Sequence, residues 1–203
     1  EAARAWKKEV IHLGGGGNPG EQNIIKNALK QMENDLEGNG FGANVFSFFK
    51  TSSDPIQQSQ SEQITNRIND GASIITFFGH SGTGGFDFSI DDPVTYTNKD
   101  RYPVIFSLGC LSGQIHLPFK SVGENFLFQE ERGAIAFLAS TGPGFISALR
   151  SFAGSYYTKI GGDHYGQGIG DIMQANIASF DELSGFSTRT LVQQFTLHGD
   201  PAL

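Results

Sequence analysis

The chain has 203 residues, 38% of them apolar, and its 18 Phe supply the bulk for one packed domain rather than a disordered segment. A formal net charge of −7 with no block of Lys or Arg argues against a nucleic-acid partner. A single cysteine excludes an internal disulfide framework and a cysteine-built zinc site, and no apolar stretch reaches the roughly 20 residues that span a bilayer. The chain opens Glu-Ala-Ala without Met and stops just after His198-Gly199-Asp200-Pro201, so it reads as a piece of a longer protein. A missing signal peptide therefore carries no information about export.

Taken in chain order, Glu9–Leu13 reads as a strand, followed by a glycine-rich turn, Gly14–Gly20. A helix is expected over Glu21–Glu37, because Ile24, Ile25, Ala28, Leu29, Met32 and Leu36 recur at helical spacing; Gly38-Asn39-Gly40 ends it. Asn44–Phe49 is a second strand. Asp54-Pro55 opens a turn, a polar helix covers Ile56–Asp70, and Gly71 stops it. Ser73–Gly79 is a short β-rich run, and Gly82–Arg101 has no period and reads as a long loop. A strand over Val104–Gly109 leads through a loop to a helix at Val122–Arg132 and a strand at Ala134–Ala139. After a turn at Thr141–Gly144, helices are expected at Ile146–Ile160 and Gly170–Phe180, and a last strand near Leu191–Leu197. Alternating strands and helices specify one α/β domain with a mainly parallel sheet flanked by helices.

Two residues stand out against this pattern. His80 and Cys110 each follow a strand-like run that ends in glycine. In an open parallel sheet, ligands bind beyond the carboxyl ends of the strands, where two such residues can face one substrate. A thiol beside an imidazole is the minimum equipment of a cysteine nucleophile. Alone, Cys110 would read as a small buried hydrophobe and His80 as a loop histidine; equivalent positions on two strands make the pair more specific. The other histidines are weaker candidates: His12 lies inside a strand, His116 and His164 lie in loops, and His198 belongs to a tight turn.

Three further features carry competing readings. Gly15, Gly17 and Gly20 fit G-x-G-x-x-G between a strand and a helix, the context of a dinucleotide fingerprint. The second strand ends Phe48-Phe49-Lys50, without the carboxylate that would hold a ribose, and no Gly-Lys-Ser/Thr is present. A flexible turn at an active edge is the simpler reading. The acidic cluster Asp87, Asp91 and Asp92 is a candidate for structural calcium, although its spacing matches no EF-hand loop and a solvated loop is the default. No cofactor is required. For a third catalytic residue, Glu21 follows the first strand and its glycine turn, so it can reach the edge that carries His80; Asp87 and a backbone carbonyl are the alternatives, and a helix-start role for Glu21 is the simplest explanation of its position.

These residues also carry a resemblance. Phe78-Gly79-His80, with glycines following, resembles the histidine motif of the gingipain-like cysteine peptidases. Tyr102-Pro103-Val104-Ile105-Phe106-Ser107-Leu108-Gly109-Cys110, with Gly113 close behind, resembles their nucleophile motif. Gly123-Glu124, Arg132-Gly133-Ala134-Ile135-Ala136-Phe137-Leu138-Ala139-Ser140-Thr141 and the closing Leu197–Leu203 are similar to later parts of that domain. The match runs from about residue 73 to the end, and within the family the pattern is most similar to the PorU-like sortases of the type IX secretion system in Bacteroidetes. One departure is His80-Ser81-Gly82, where the family often has His-Gly. The amide after that histidine commonly helps hold an oxyanion in caspase-like sites; Ser81 keeps an amide with less backbone freedom than glycine.

The resemblance implies a caspase/gingipain-like fold over residues 1–203, a Cys110–His80 dyad, and an exported protein at the periplasm or outer-membrane surface of a Gram-negative bacterium. The expected function is cleavage of a protein or peptide substrate, with sortase-type processing of C-terminal sorting signals and secretion-system components as partners. Glu21 lies in roughly the region where the family places its acidic partner. Ser81, Gly82, Thr141 and Gly142 are the candidate substrate-binding residues. A secreted endopeptidase and a non-catalytic export or scaffolding domain of the same fold are the alternatives.

Overall fold

The computed structural model describes the chain apart from residues 1, 39, 55–59, 91 and 181–183, and apart from the side chains of 2–4. A 3-10 helix, Ala2–Lys8, leads into β1 (Glu9–Gly14), α1 (Pro19–Glu37), β2 (Asn44–Phe49), α2 (Ser61–Asp70) and β3 (Ile74–Phe78). Then come β4 (Ser81–Gly82), β5 (Gly85–Phe86), β6 (Val104–Leu108), α3 (Val122–Leu127), β7 (Ala136–Ser140), α4 (Ile146–Gly161), α5 (Ile169–Ile177), α6 (Phe186–Gln194) and β8 (Phe195–Gly199). The start of the helix expected from Ile56, together with Pro55, Asn39 and Asp91, lies outside the described residues.

The main sheet has six strands in the order β2-β1-β3-β6-β7-β8. The first five run parallel and β8 is antiparallel to β7. Strand residues alternate between two cores. Val10, Ile74, Phe78, Phe106, Leu108 and Leu138 face α1, α4, α5 and α6. Ile11, Leu13, Ile75, Phe77, Ile105 and Phe137 face α2, α3 and the segment carrying Phe86, Phe88 and Tyr96. From β1 the chain moves one way through α1 to β2, then returns past β1 through α2 to β3. Right-handed crossovers in opposite directions put these two helices on opposite faces. The crevice between β1 and β3, at the strands' carboxyl ends, is therefore the topological switch point of the sheet.

Several expected elements shift. Ile24 is exposed, so the buried face of α1 is Ile25, Ala28, Leu29, Met32 and Leu36. The long loop after His80 contains a small hairpin, β4 against β5. Helix α3 ends at Leu127, because the chain doubles back: the Ala134 amide donates to Phe126 O, and Glu131 and Gly133 have positive φ. The helix expected over Gly170–Phe180 runs over Ile169–Ile177. Residues expected to begin the last strand form the end of α6, which buries Leu191; the strand starts at Phe195.

Candidate active site

The strand ends lie level. Gly14 is opposite Phe78, and Phe78 is opposite Leu108. His80 and Cys110 each stand two residues past their strand, on neighbours in the sheet, and the turn after β1 adjoins them at the switch point. Gly79 donates its amide to Leu108 O, carrying the pairing one step beyond the strands.

Glu21 arrives through helix-start chemistry. Asn18 caps α1 and accepts the Glu21 amide at 3.1 Å, and Pro19 opens the first turn. The Glu21 side chain reaches back, so that Oε2 accepts the Gly17 amide at 2.9 Å. The same oxygen lies 3.0 Å from His80 Nε2. The hydrogen bond from the imidazole, then that from the Gly17 amide, holds the Glu21 carboxyl below its ordinary pKa. An ionised carboxylate only accepts, so Nε2 donates this hydrogen bond, and in the neutral imidazole the lone pair is then on Nδ1. The His80 side chain is 60% exposed and that of Glu21 29%, so the pair is open to solvent.

Cys110, the chain's one cysteine, is half-buried. Its sulfur is held by Gly144: the Gly144 amide donates to Sγ at 3.3 Å, and Sγ lies 3.7 Å from Gly144 O. Leu111, the next residue, has φ 59, a left-handed conformation uncommon for a non-glycine residue. Its amide donates to Gly142 O at 3.1 Å, which fixes the turn. Among the described residues no main-chain carbonyl accepts the Cys110 amide. From the other side, Ser81 Oγ donates to Cys110 O at 2.8 Å.

The remaining sequence candidates divide by place. Ser81 and Gly82 form β4 directly after His80, and Ser81 also bonds the Cys110 carbonyl. Thr141 donates its amide and hydroxyl to Gln194 O, and Gly142 is buried against the Gln194 side chain; both support the Cys110 turn from behind. Asp87 is buried beside Lys50 rather than solvated, and its carboxylate accepts from Gly16, not from His80. No group of three metal-ligating side chains occurs among the described residues. In the glycine turn, the Gly15 amide bonds Phe78 O, that of Gly16 bonds Asp87 and that of Gly17 bonds Glu21. The amides that would cradle a diphosphate are engaged by this chain's own acceptors. His12 is buried against Tyr157, His116 is exposed, His164 follows α4, and His198 bonds Thr196. The sequence places Gly144 in the turn Thr141–Gly144 but gives no sign of its contact with the sulfur, which involves no side chain of Gly144.

A mainly parallel sheet between helices, with a thiol, an imidazole and a carboxylate carried by the segments that follow three adjacent strands, is an α/β protein of caspase-like architecture. The chain belongs to peptidase family C25, whose family model matches residues 1–203. No curated protein matches the chain by sequence. Among solved structures, the chain is similar to the Arg-specific cysteine proteinase gingipain R (RgpB), with 16% identity and a TM-score of 0.79 over 98% of this chain and 48% of that one. The complex of Porphyromonas gingivalis RgpB pro- and mature domains matches with the same figures, 16% identity, TM-score 0.79, and 98% and 48% coverage. A structure described only as a protease matches with 14% identity and a TM-score of 0.76, again over 98% of this chain and 48% of that one. The chain thus spans about half the length of the solved chains it matches. Among the described residues, no helix is long and apolar enough to cross a membrane.

Proposed function

We propose that this chain is the catalytic part of a cysteine peptidase in which Cys110 is the nucleophile, His80 the general base and Glu21 the group that orients His80. The observation that carries the reading is the Glu21–His80 hydrogen bond, set at the β1/β3 switch point one strand from Cys110. His80 Nδ1 takes the thiol proton, and Sγ attacks the scissile carbonyl carbon. The Cys110 and Ser81 amides donate to the oxyanion. The tetrahedral species collapses as the C–N bond breaks, and His80 gives its proton to the leaving amine. Water, deprotonated by His80, then cleaves the thioester and releases a free acid. An amine acceptor in place of water gives transpeptidation.

The sequence resemblance supports a finer version: an exported protein, at the periplasm or outer-membrane surface, that processes C-terminal sorting signals alongside secretion-system components. Peptidase function is tested with a peptidyl acyloxymethyl ketone, mass mapping of the adduct, and turnover of a mixed peptide pool. The expected result is modification at Cys110, peptide cleavage in the wild type, and neither in Cys110→Ala. Absence of both in the wild type would leave a non-catalytic scaffolding domain of the same fold. Hydrolysis and transfer are separated by adding an amine acceptor and weighing the products.

A further inference from the structure

Asp87 bonds both loops that carry the proposed Glu21–His80 pair, and among the described residues it has no hydrogen bond to either of those side chains. It is buried, 5% exposed, and faces the equally buried Lys50, 4% exposed. Lys50 Nζ lies 3.4 Å from Asp87 Oδ2. The same oxygen accepts the Gly16 amide at 2.9 Å, one residue before the amide that Glu21 accepts. The Asp87 main-chain amide donates to His80 O at 2.9 Å. Its second oxygen, Oδ1, has no hydrogen-bond partner among the described residues and lies against two glycines. A Cβ at Gly15 would come within 2.2 Å of Oδ1, and one at Gly79 within 2.6 Å. A side chain at either position would push the carboxylate out.

The arrangement crosses three strand ends. Lys50 follows β2, Gly16 follows β1, and Asp87 follows the hairpin that begins just after β3. We propose that Asp87, paired with Lys50, is a positioning residue that sets the Glu21 turn and the His80 loop at the separation in which Glu21 orients the imidazole; this rests on the Cys110–His80 reading above. Charge-assisted bonds to a backbone amide are stronger than neutral ones, and burial from water keeps them so. The ion pair therefore ties the β1 turn to the His80 loop, and small misplacements of a reacting group carry large rate penalties.

Asp87→Asn alone removes the carboxylate that faces the buried Lys50 charge. The double variant Asp87→Asn/Lys50→Met removes both charges and keeps an acceptor for Gly16. The readout is the rate of Cys110 alkylation by iodoacetamide at about pH 6, where an unassisted thiol, with a pKa of about 8.5, is mostly protonated. The single cysteine makes all labelling site-specific. Wild type, Glu21→Gln, the double variant and the triple combination are compared, with Asp87→Asn measured in parallel and thermal unfolding followed for each. The double variant should label about tenfold more slowly, and the triple no slower than Glu21→Gln within about twofold, because both changes act through the same imidazole. Wild-type labelling by the double variant, or a triple whose losses multiply to about a hundredfold, overturns the proposal. If neither Asp87 variant unfolds cooperatively, the pair is a folding element and the proposal falls. Wild-type labelling by both His80→Ala and Glu21→Gln would instead remove the Cys110–His80 reading itself, since those variants leave Asp87 and Lys50 intact.

Discussion

Stability below neutral pH should be governed by His12. This residue lies on β1, fully buried, with Nε2 at 2.9 Å from the Tyr157 hydroxyl of α4; that hydroxyl also bonds Thr76 of β3. Burial first, and then the positive charge of Lys30, lower the His12 pKa from 6.5 to about 3. The unfolded chain therefore binds a proton below pH 6.5 that the folded chain refuses. Stability is full above that value and falls as the pH drops toward the folded pKa. Each pH unit in this window costs about 1.4 kcal/mol, so acidification to about pH 5 should cost about 2 kcal/mol. That is a substantial share of the roughly 5–15 kcal/mol that holds a domain of this kind together. His12→Gln keeps a partner for Tyr157 and removes the titration. Denaturant unfolding of both proteins at about pH 7 and pH 5 measures the difference, and the variant should lose about 2 kcal/mol less than the wild type between the two. Parallel pH dependence in the two proteins would refute the assignment. The Glu21 carboxyl does not interfere: its pKa lies below 4.5, so its contribution is present above that range and is lost only as the pH falls through the lowered value.

Cys110→Ala should abolish ketone labelling and peptide turnover with an unfolding midpoint close to wild type, and Cys110→Ser should be nearly as damaging, because a hydroxyl is far less ionised than a thiol. Glu21→Gln keeps the shape at the cap and exchanges a charged hydrogen bond for a neutral one, so Cys110 acylation should slow by about 10–100-fold; an unchanged rate with reduced stability would confine Glu21 to a helix-start role. Gly15→Ala places a Cβ 2.2 Å from Asp87 Oδ1 and should destabilise by about 1–3 kcal/mol in denaturant titration. Gly82→Ala, with nothing within 4 Å, should change stability by less than about 0.5 kcal/mol, and equal losses at the two positions would contradict the packing described.

The parallel strands were legible because their apolar runs are continuous and the helices between them carry helical spacing. The placement of His80 and Cys110 followed from counting residues past those runs. The β4–β5 hairpin was hidden because two-residue strands have no measurable period. Helix α6 was hidden because it buries Leu191 alone, and the apolar residues that follow lean toward a strand. The burial of Asp87 was unreadable for a different reason: its partner Lys50 lies at the end of another strand, and a pairing across that sequence distance leaves no local trace. Gly144 acts on Cys110 through backbone atoms alone, which every residue except proline possesses.

The contact of Ser81 with the cysteine turn also limits which sequences this site can accept. Besides bonding Cys110 O, Ser81 Oγ occupies the place where position 109 would carry a Cβ, 2.1 Å away. A residue larger than glycine at 109 would thus have to displace the Ser81 hydroxyl from its bond to Cys110 O. A glycine at 81 removes both this obstruction and the strut on the cysteine carbonyl. The histidine loop and the cysteine loop are therefore coupled through this one hydroxyl. A change in either loop bears on the other, although the two segments are distant in sequence.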